Sequence, residues 1–164
     1  LKFFPFIKEA VSFGHKKDYV SAFLCIDIEA VGNWAERHNL AFSGYTDLSA
    51  KSEVYNLLKE CVETVNSDLA RDEKLSGSQI KRFLLLHKEL DADDGELTRT
   101  RKVRRRIVAE KYDVLIVALD DPKQTHCEIE AEMTFEDGRT GIVRADLQIL
   151  ETERQETQIH THAA

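Results

Sequence analysis

The chain has 164 residues, 42% hydrophobic and 32% charged, which fits one soluble globular domain with a core of its own. A formal charge of -7 and a pI near 5.4 argue against nucleic-acid binding through the overall field, and no apolar run approaches the roughly 18 residues of a membrane-spanning helix. Cys25, Cys61 and Cys127 stand at no metal-ligand spacing, so they predict reduced thiols in a cytosolic protein rather than a disulfide frame.

The opening "LKFFPFIKEAV" has no initiator Met and no leader pattern, which suggests a sequence beginning inside a larger protein. Residues 9–14 and 18–27 are β-prone runs joined through "HKK" and predict two adjacent strands. Ile28, Val31, Trp34 and Ala35 then trace a helical stripe ending near Asn39. "NLAFSGYTDLS" follows as a loop, with Thr46, Asp47 or Ser49 available to cap the next helix. That helix, 51–69, has the clearest pattern: Val54, Leu58, Cys61, Val62, Val65 and Leu69 share one face. "RDEKLSGSQ" is turn-rich, and the apolar run 80–87 predicts a third strand.

A second amphipathic helix is predicted over 103–119, through Val103, Ile107, Val108, Tyr112, Leu115 and Leu119, and it must stop before Pro122. Beyond it, Ile129, Ala131, Met133 and Phe135 alternate with polar residues. "EDGRTG" supplies an Asp-Gly turn, and a second alternating run follows, so 125–150 predicts an appended β-hairpin. The tail 151–164 reads as solvated and disordered. The fold class expected is α+β: a small mixed sheet flanked by amphipathic helices, plus the C-terminal hairpin.

Two charge blocks interrupt this pattern. "ELDADDGE" gathers Glu89, Asp91, Asp93, Asp94 and Glu96 on a loop. It fails the calcium-loop spacing, because counting Gly95 as the sixth position puts Leu90 first and Ala92 third, so a solvated turn is expected and no metal. His160 and His162 lie in the tail, which by itself makes no metal site. Next comes "ELTRTRKVRRR", where Arg99, Arg101, Lys102, Arg104, Arg105 and Arg106 crowd the start of the second helix. Cations there oppose the helix dipole, at a few tenths of a kcal/mol each, unless an anion is near. Spacing alone leaves three readings: a solvated helix face, a nucleic-acid patch, and a phosphate site of an enzyme.

The string "DADDGELTRTRKVRRR" resembles the last core motif of the adenylate-forming (AMP-binding) synthetases and ligases. It is most similar to the long-chain fatty acid–CoA ligase branch, in which Leu-Thr-x-Thr-x-Lys precedes a basic helix start. In the wider family a Gly usually precedes the Lys; here Arg101 does. "FFPFIKEAVSFG" and "DYVSAFLCIDIEAVGNWAE" resemble upstream segments of the same family, so the likeness runs over about residues 1–121.

The resemblance implies the small mobile C-terminal domain of such an enzyme, with the large N-terminal domain as its missing partner. It implies the reaction of a fatty acid with ATP and Mg2+, then with coenzyme A, none of them bound tightly by this piece, which is expected to be inactive alone. It gives Lys102 the role of adenylation lysine, with Arg99, Arg101, Arg104 and Arg105 as phosphate or domain-interface contacts. Gly95, Thr98 and Thr100 would shape the loop, the threonines also capping the helix. A cytoplasmic enzyme is implied, peripheral to a membrane at most, that does not bind nucleic acid. The alternative is a stand-alone module using the 99–106 cluster to bind a nucleic acid or membrane surface.

Overall fold

A computed structural model describes residues 1–17, 19–134 and 138–156. Five strands form one sheet in the order β1-β2-β3-β5-β4: β1 Ile7–Phe13, β2 Val20–Ile26, β3 Ile80–Leu85, β4 His126–Thr134 and β5 Thr140–Glu151. β1 and β2 pair antiparallel, β2 and β3 parallel, and β5 runs antiparallel to both β3 and β4. The sheet is therefore mixed, and the parallel pair needs a long crossover. That crossover is α1 Ile28–Arg37, α2 Tyr45–Ala50 and α3 Ser52–Ala70.

Helices cover both faces. Ala22, Leu24 and Ile26 of β2 join Phe83 and Leu85 of β3 against α1 to α3. The intervening Phe23, Cys25, Leu84 and Leu86 face α4 Arg105–Lys111 and α5 Asp113–Asp120. Alternate residues of a strand point to opposite faces, so strands buried on both must be apolar throughout. That is why "AFLCI" and "FLLL" show no polar alternation.

Several expectations are corrected. The 39–49 stretch is not all loop: it contains α2, whose Leu48 is fully buried. Thr46, Asp47 and Ser49 do not cap α3; its N-cap is Lys51, without a side-chain bond, and Asp47 accepts instead from the Ser43 N–H at 2.9 Å. The helix predicted over 103–119 is two helices with a break at Tyr112 (φ -113, ψ 29). The hairpin is not a free appendage, because Phe83, Leu84 and Arg82 of β3 pair with Leu150, Ile149 and Glu151 of β5. Its Ile129, Leu147 and Ile149 belong to the core on the α5 side.

The tail also starts later than expected. Thr152 is buried, and its N–H donates to the Lys81 carbonyl at 2.8 Å. Gln155 and Gln79 exchange hydrogen bonds at 2.8 and 3.0 Å. His160, His162, Phe135 and Asp137 of the predicted turn, and Asp18 of the predicted strand, fall outside the described residues.

One buried charge orients the helix pair. Arg82 is 1% exposed, and its guanidinium donates to the carbonyls of Leu119 at 2.7 Å, Ala118 at 3.2 Å, Asp121 and Gln124. A cation at the last carbonyls of a helix complements its dipole, so Arg82 fastens the C-terminal end of α5 to the sheet. The basic loop joins the opposite end of the helix pair, at the start of α4.

Candidate active site

The basic cluster sits on a small hairpin between β3 and α4. Leu97 and Val103 form an antiparallel bridge. Above it the Thr98 N–H donates to the Lys102 carbonyl and the Arg101 N–H to the Thr98 carbonyl, both at 2.8 Å. Arg99, Thr100 and Arg101 are thus a three-residue hairpin loop whose last residue is left-handed, with φ 59 at Arg101. The Thr98 hydroxyl accepts from the Lys102 N–H at 3.0 Å and lies 3.1 Å from the Thr100 hydroxyl. These threonines tie the loop to itself. They do not cap α4, whose N-cap is Arg104, with no side-chain bond.

Lys102, Arg99, Arg101 and Arg104 are exposed, and among the described residues their side chains make no ion pair or hydrogen bond. Arg105 and Arg106 are occupied differently. Arg105 donates to the Ser12 carbonyl at 2.9 Å, and Arg106 pairs with Glu110 at 2.8 Å. Beside the tip lies a cleft of about 350 Å³ between the loop and the start of β1, bordered by Lys8, Glu9, Asp91, Asp93, Arg99 and Arg101.

Beneath the tip the chemistry reverses. The "DADDG" turn is exposed at Asp91, Ala92 and Asp93, as expected of a solvated turn, but Glu96 just after it is 0% exposed. One carboxylate oxygen of Glu96 accepts from Lys88 Nζ at 3.0 Å and the Asp91 N–H at 2.9 Å. The other accepts from the Tyr112 hydroxyl at 2.6 Å and meets Lys111 Nζ at 2.8 Å. Asp94 also pairs with Lys88, and with Lys111 at 3.6 Å, so two ammonium groups face two carboxylates. Gly95, with φ 73, turns the chain so that Glu96 points inward.

Burial alone would push the Glu96 carboxyl up, but the donors from Lys111, Tyr112, Asp91 and Lys88 outweigh it and hold it below the usual carboxylate range. Burial would likewise lower Lys88, and Asp94 and Glu96 raise it instead. Burial, then the Glu96 charge, pushes the Tyr112 phenol up, so it remains a donor. Next to them His87 is 1% exposed, and burial followed by the Lys88 charge lowers its pKa to about 4.

Sequence patterning missed this base. Its charges come from residue 88, residues 94–96 and residues 111–112, and no periodicity links them. The one available hint was a Lys continuing an apolar strand run, in "LLLHK". The loop's own residues offer cations and hydroxyls without a carboxylate, Glu96 is already saturated, and among the described residues no cluster of His, Cys, Asp or Glu could hold a metal ion, so this donor set does not fit Mg2+. It suits an anion.

No family model matches the chain. The long-chain-fatty-acid–CoA ligase FadD15 of Mycobacterium tuberculosis is 32% identical over 113 residues, 68% of this chain and 18% of its own length. This chain is a domain of the adenylate-forming ligase family. FadD15 of Mycobacterium bovis matches to the same extent, so the ligase-family domain spans less than a fifth of the length of these relatives. A solved structure, the A-PCP didomain of carboxylic acid reductase from Segniliparus rugosus in complex with AMP, aligns over 70% of this chain and 14% of its own. The identity is 17% and the TM-score 0.44. These relatives lend no support to a stand-alone nucleic-acid or membrane module. Among the described residues no helix is long and apolar enough to cross a membrane.

Proposed function

We propose that this domain supplies the adenylation lysine of an ATP-dependent acyl-CoA ligase acting on long-chain fatty acids. The observation that carries this is the position of Lys102: an exposed ammonium, without an ion partner among the described residues, on a hairpin whose root is fixed by buried charge. Long-chain preference is supported by what the relatives are named for.

In the first step a fatty-acid carboxylate oxygen attacks the α-phosphorus of ATP and pyrophosphate leaves. Two anions must approach, and an ammonium between them offsets their repulsion and stabilises the charge developing in the transition state. Lysine suits the task because its charge is compact and its stem flexible. Arg99, Arg101 and Arg104, equally free of partners, are placed to meet phosphate oxygens or acidic groups of the large domain. In the second step the coenzyme A thiol displaces AMP. A lysine on a short hairpin leaves the site with its domain, so rotation about a hinge serves both steps without unfolding a helix.

The test is Lys102→Ala in the complete ligase polypeptide. Fatty-acid-dependent ATP–pyrophosphate exchange should fall about 10²- to 10³-fold, as when one oxyanion donor is lost. Thioester formation from supplied acyl-adenylate should survive, and the isolated 164-residue chain should catalyse neither step. Unchanged exchange in the variant would sink the reading.

A further inference from the structure

We propose that Glu96 is the positioning residue of the Lys102 hairpin: its buried carboxylate locks the hairpin root and thereby sets where the ammonium is delivered. The inference rests on the adenylation role of Lys102 and adds a residue that acts through it.

Glu96 holds the root twice. Its carbonyl accepts from the Arg104 N–H at 2.8 Å, closing the two ribbon strands just below the Leu97–Val103 bridge. Its carboxylate gathers donors from three separate segments: Lys88 after β3, Asp91 in the acidic turn, and Lys111 with Tyr112 at the break between α4 and α5. Any movement of the carboxylate therefore moves the strand leading to Thr98 and Lys102. Nothing comparable fixes the tip from above, since the described groups around Lys102 bond only within the loop. The ribbon rises about 3.3 Å per residue, so a small tilt at Glu96 is enlarged at the tip. Misplacing a reacting group by about 1 Å can cost a hundredfold in rate.

The charge of Glu96 matters as well as its shape. An ionised carboxylate accepts at both oxygens, whereas a glutamine would turn an N–H toward donors already present. Two ammonium groups and a phenol cannot be served by one amide oxygen. Glu96→Gln thus loosens the root while leaving every side chain of the tip chemically unchanged.

The experiment compares wild type, Glu96→Gln, Lys102→Ala and the double variant in the complete ligase. Readouts are kcat and KM for ATP in ATP–pyrophosphate exchange, thioester formation from supplied acyl-adenylate, and thermal midpoint. Glu96→Gln should lower exchange kcat about 10- to 100-fold, with KM for ATP within about twofold and thioester formation kept. The double variant should be no slower than Lys102→Ala alone, because a residue acting through the lysine has nothing left to position. Additive losses, or a parallel fall in both partial reactions, would make Glu96 merely structural and overturn the proposal.

If Glu96→Gln does not fold, Tyr112→Phe decides. It removes one donor and should cost about tenfold in exchange alone, the equivalent of one hydrogen bond to a charged acceptor; no change overturns the proposal. If Lys102→Ala itself leaves exchange intact, the parent reading fails. If Lys102→Ala abolishes exchange and Glu96→Gln does not lower it, only the positioning role fails.

Discussion

The root and the tip of the 96–104 hairpin are a few residues apart and treat charge in opposite ways. At the root two carboxylates and two ammonium groups neutralise one another, with Glu96 fully buried and Lys88 nearly so. At the tip Arg99, Arg101, Lys102 and Arg104 repel one another in water with no described partner. Buried pairs hold geometry, because removing one member strands a charge in low dielectric. Exposed unpaired cations hold nothing in place, and at a helix start they weakly oppose the dipole. Stability resides in the root, and the unpaired cations proposed to meet an anion reside in the tip.

The largest expected effect comes from breaking the root. Lys88→Ala leaves Glu96 and Asp94 with Lys111 as their remaining ammonium and should destabilise the domain by about 3–5 kcal/mol, measured by urea unfolding. At the tip Lys102→Ala should change the same quantity by less than about 0.5 kcal/mol. Equal effects would erase the distinction. Acid should act on the root in a defined window. The folded Glu96 carboxyl lies below its ordinary value, so its contribution is complete above the unfolded carboxylate pKa and is lost as pH falls through the folded one.

How legible each region was in sequence follows from the same contrast. The tip is one continuous string, so resemblance picked out "LTRTRKVRRR" as a unit, although its threonines tie the loop instead of capping α4, which starts at Arg105. The 51–69 helix was equally plain, since one face of α3 packs on the sheet with a 3.6-residue period. The root was hidden because its stability comes from charges brought together by the fold, and Glu96 in an acidic run looks like any solvated carboxylate. Tyr112 fitted an apolar helical stripe, yet its hydroxyl reaches Glu96 at a break that periodicity smoothed over. The place of β5 was hidden too, because pairing with β3, some 65 residues earlier, leaves no local mark.

His87 sharpens the comparison by showing where the root is imperfectly matched. Both its ring nitrogens are buried without a hydrogen-bond partner among the described residues, beside Lys88, Glu96 and Lys111. An unfolded histidine takes up a proton near pH 6.5, while this one waits until about 4. Between those values the unfolded state binds more protons, so stability falls as pH drops, by up to about 3 kcal/mol in all, and levels off below the folded pKa. His87→Leu should remove that slope and raise stability at pH 5 by about 2 kcal/mol, read from unfolding curves at pH 5 and 8. A slope that survives the substitution would assign it to the carboxylates.

A smaller effect lies in the backbone of the tip. Arg101 occupies the left-handed region, with φ 59, at the last position of the hairpin loop. A side chain there costs about 1–2 kcal/mol, which glycine avoids. That gives a physical reason for the family's habit of placing Gly before the lysine. Arg101 has no described partner to lose, so Arg101→Gly should raise stability by about 0.5–1 kcal/mol after the extra freedom of glycine in the unfolded chain is subtracted. Arg101→Val, β-branched and ill suited to positive φ, should lower it by about 1–2 kcal/mol. If Arg101→Gly also leaves adenylation unchanged, the arginine charge is dispensable and the loop needs only its shape; if adenylation falls, the guanidinium is one of the groups that meets phosphate.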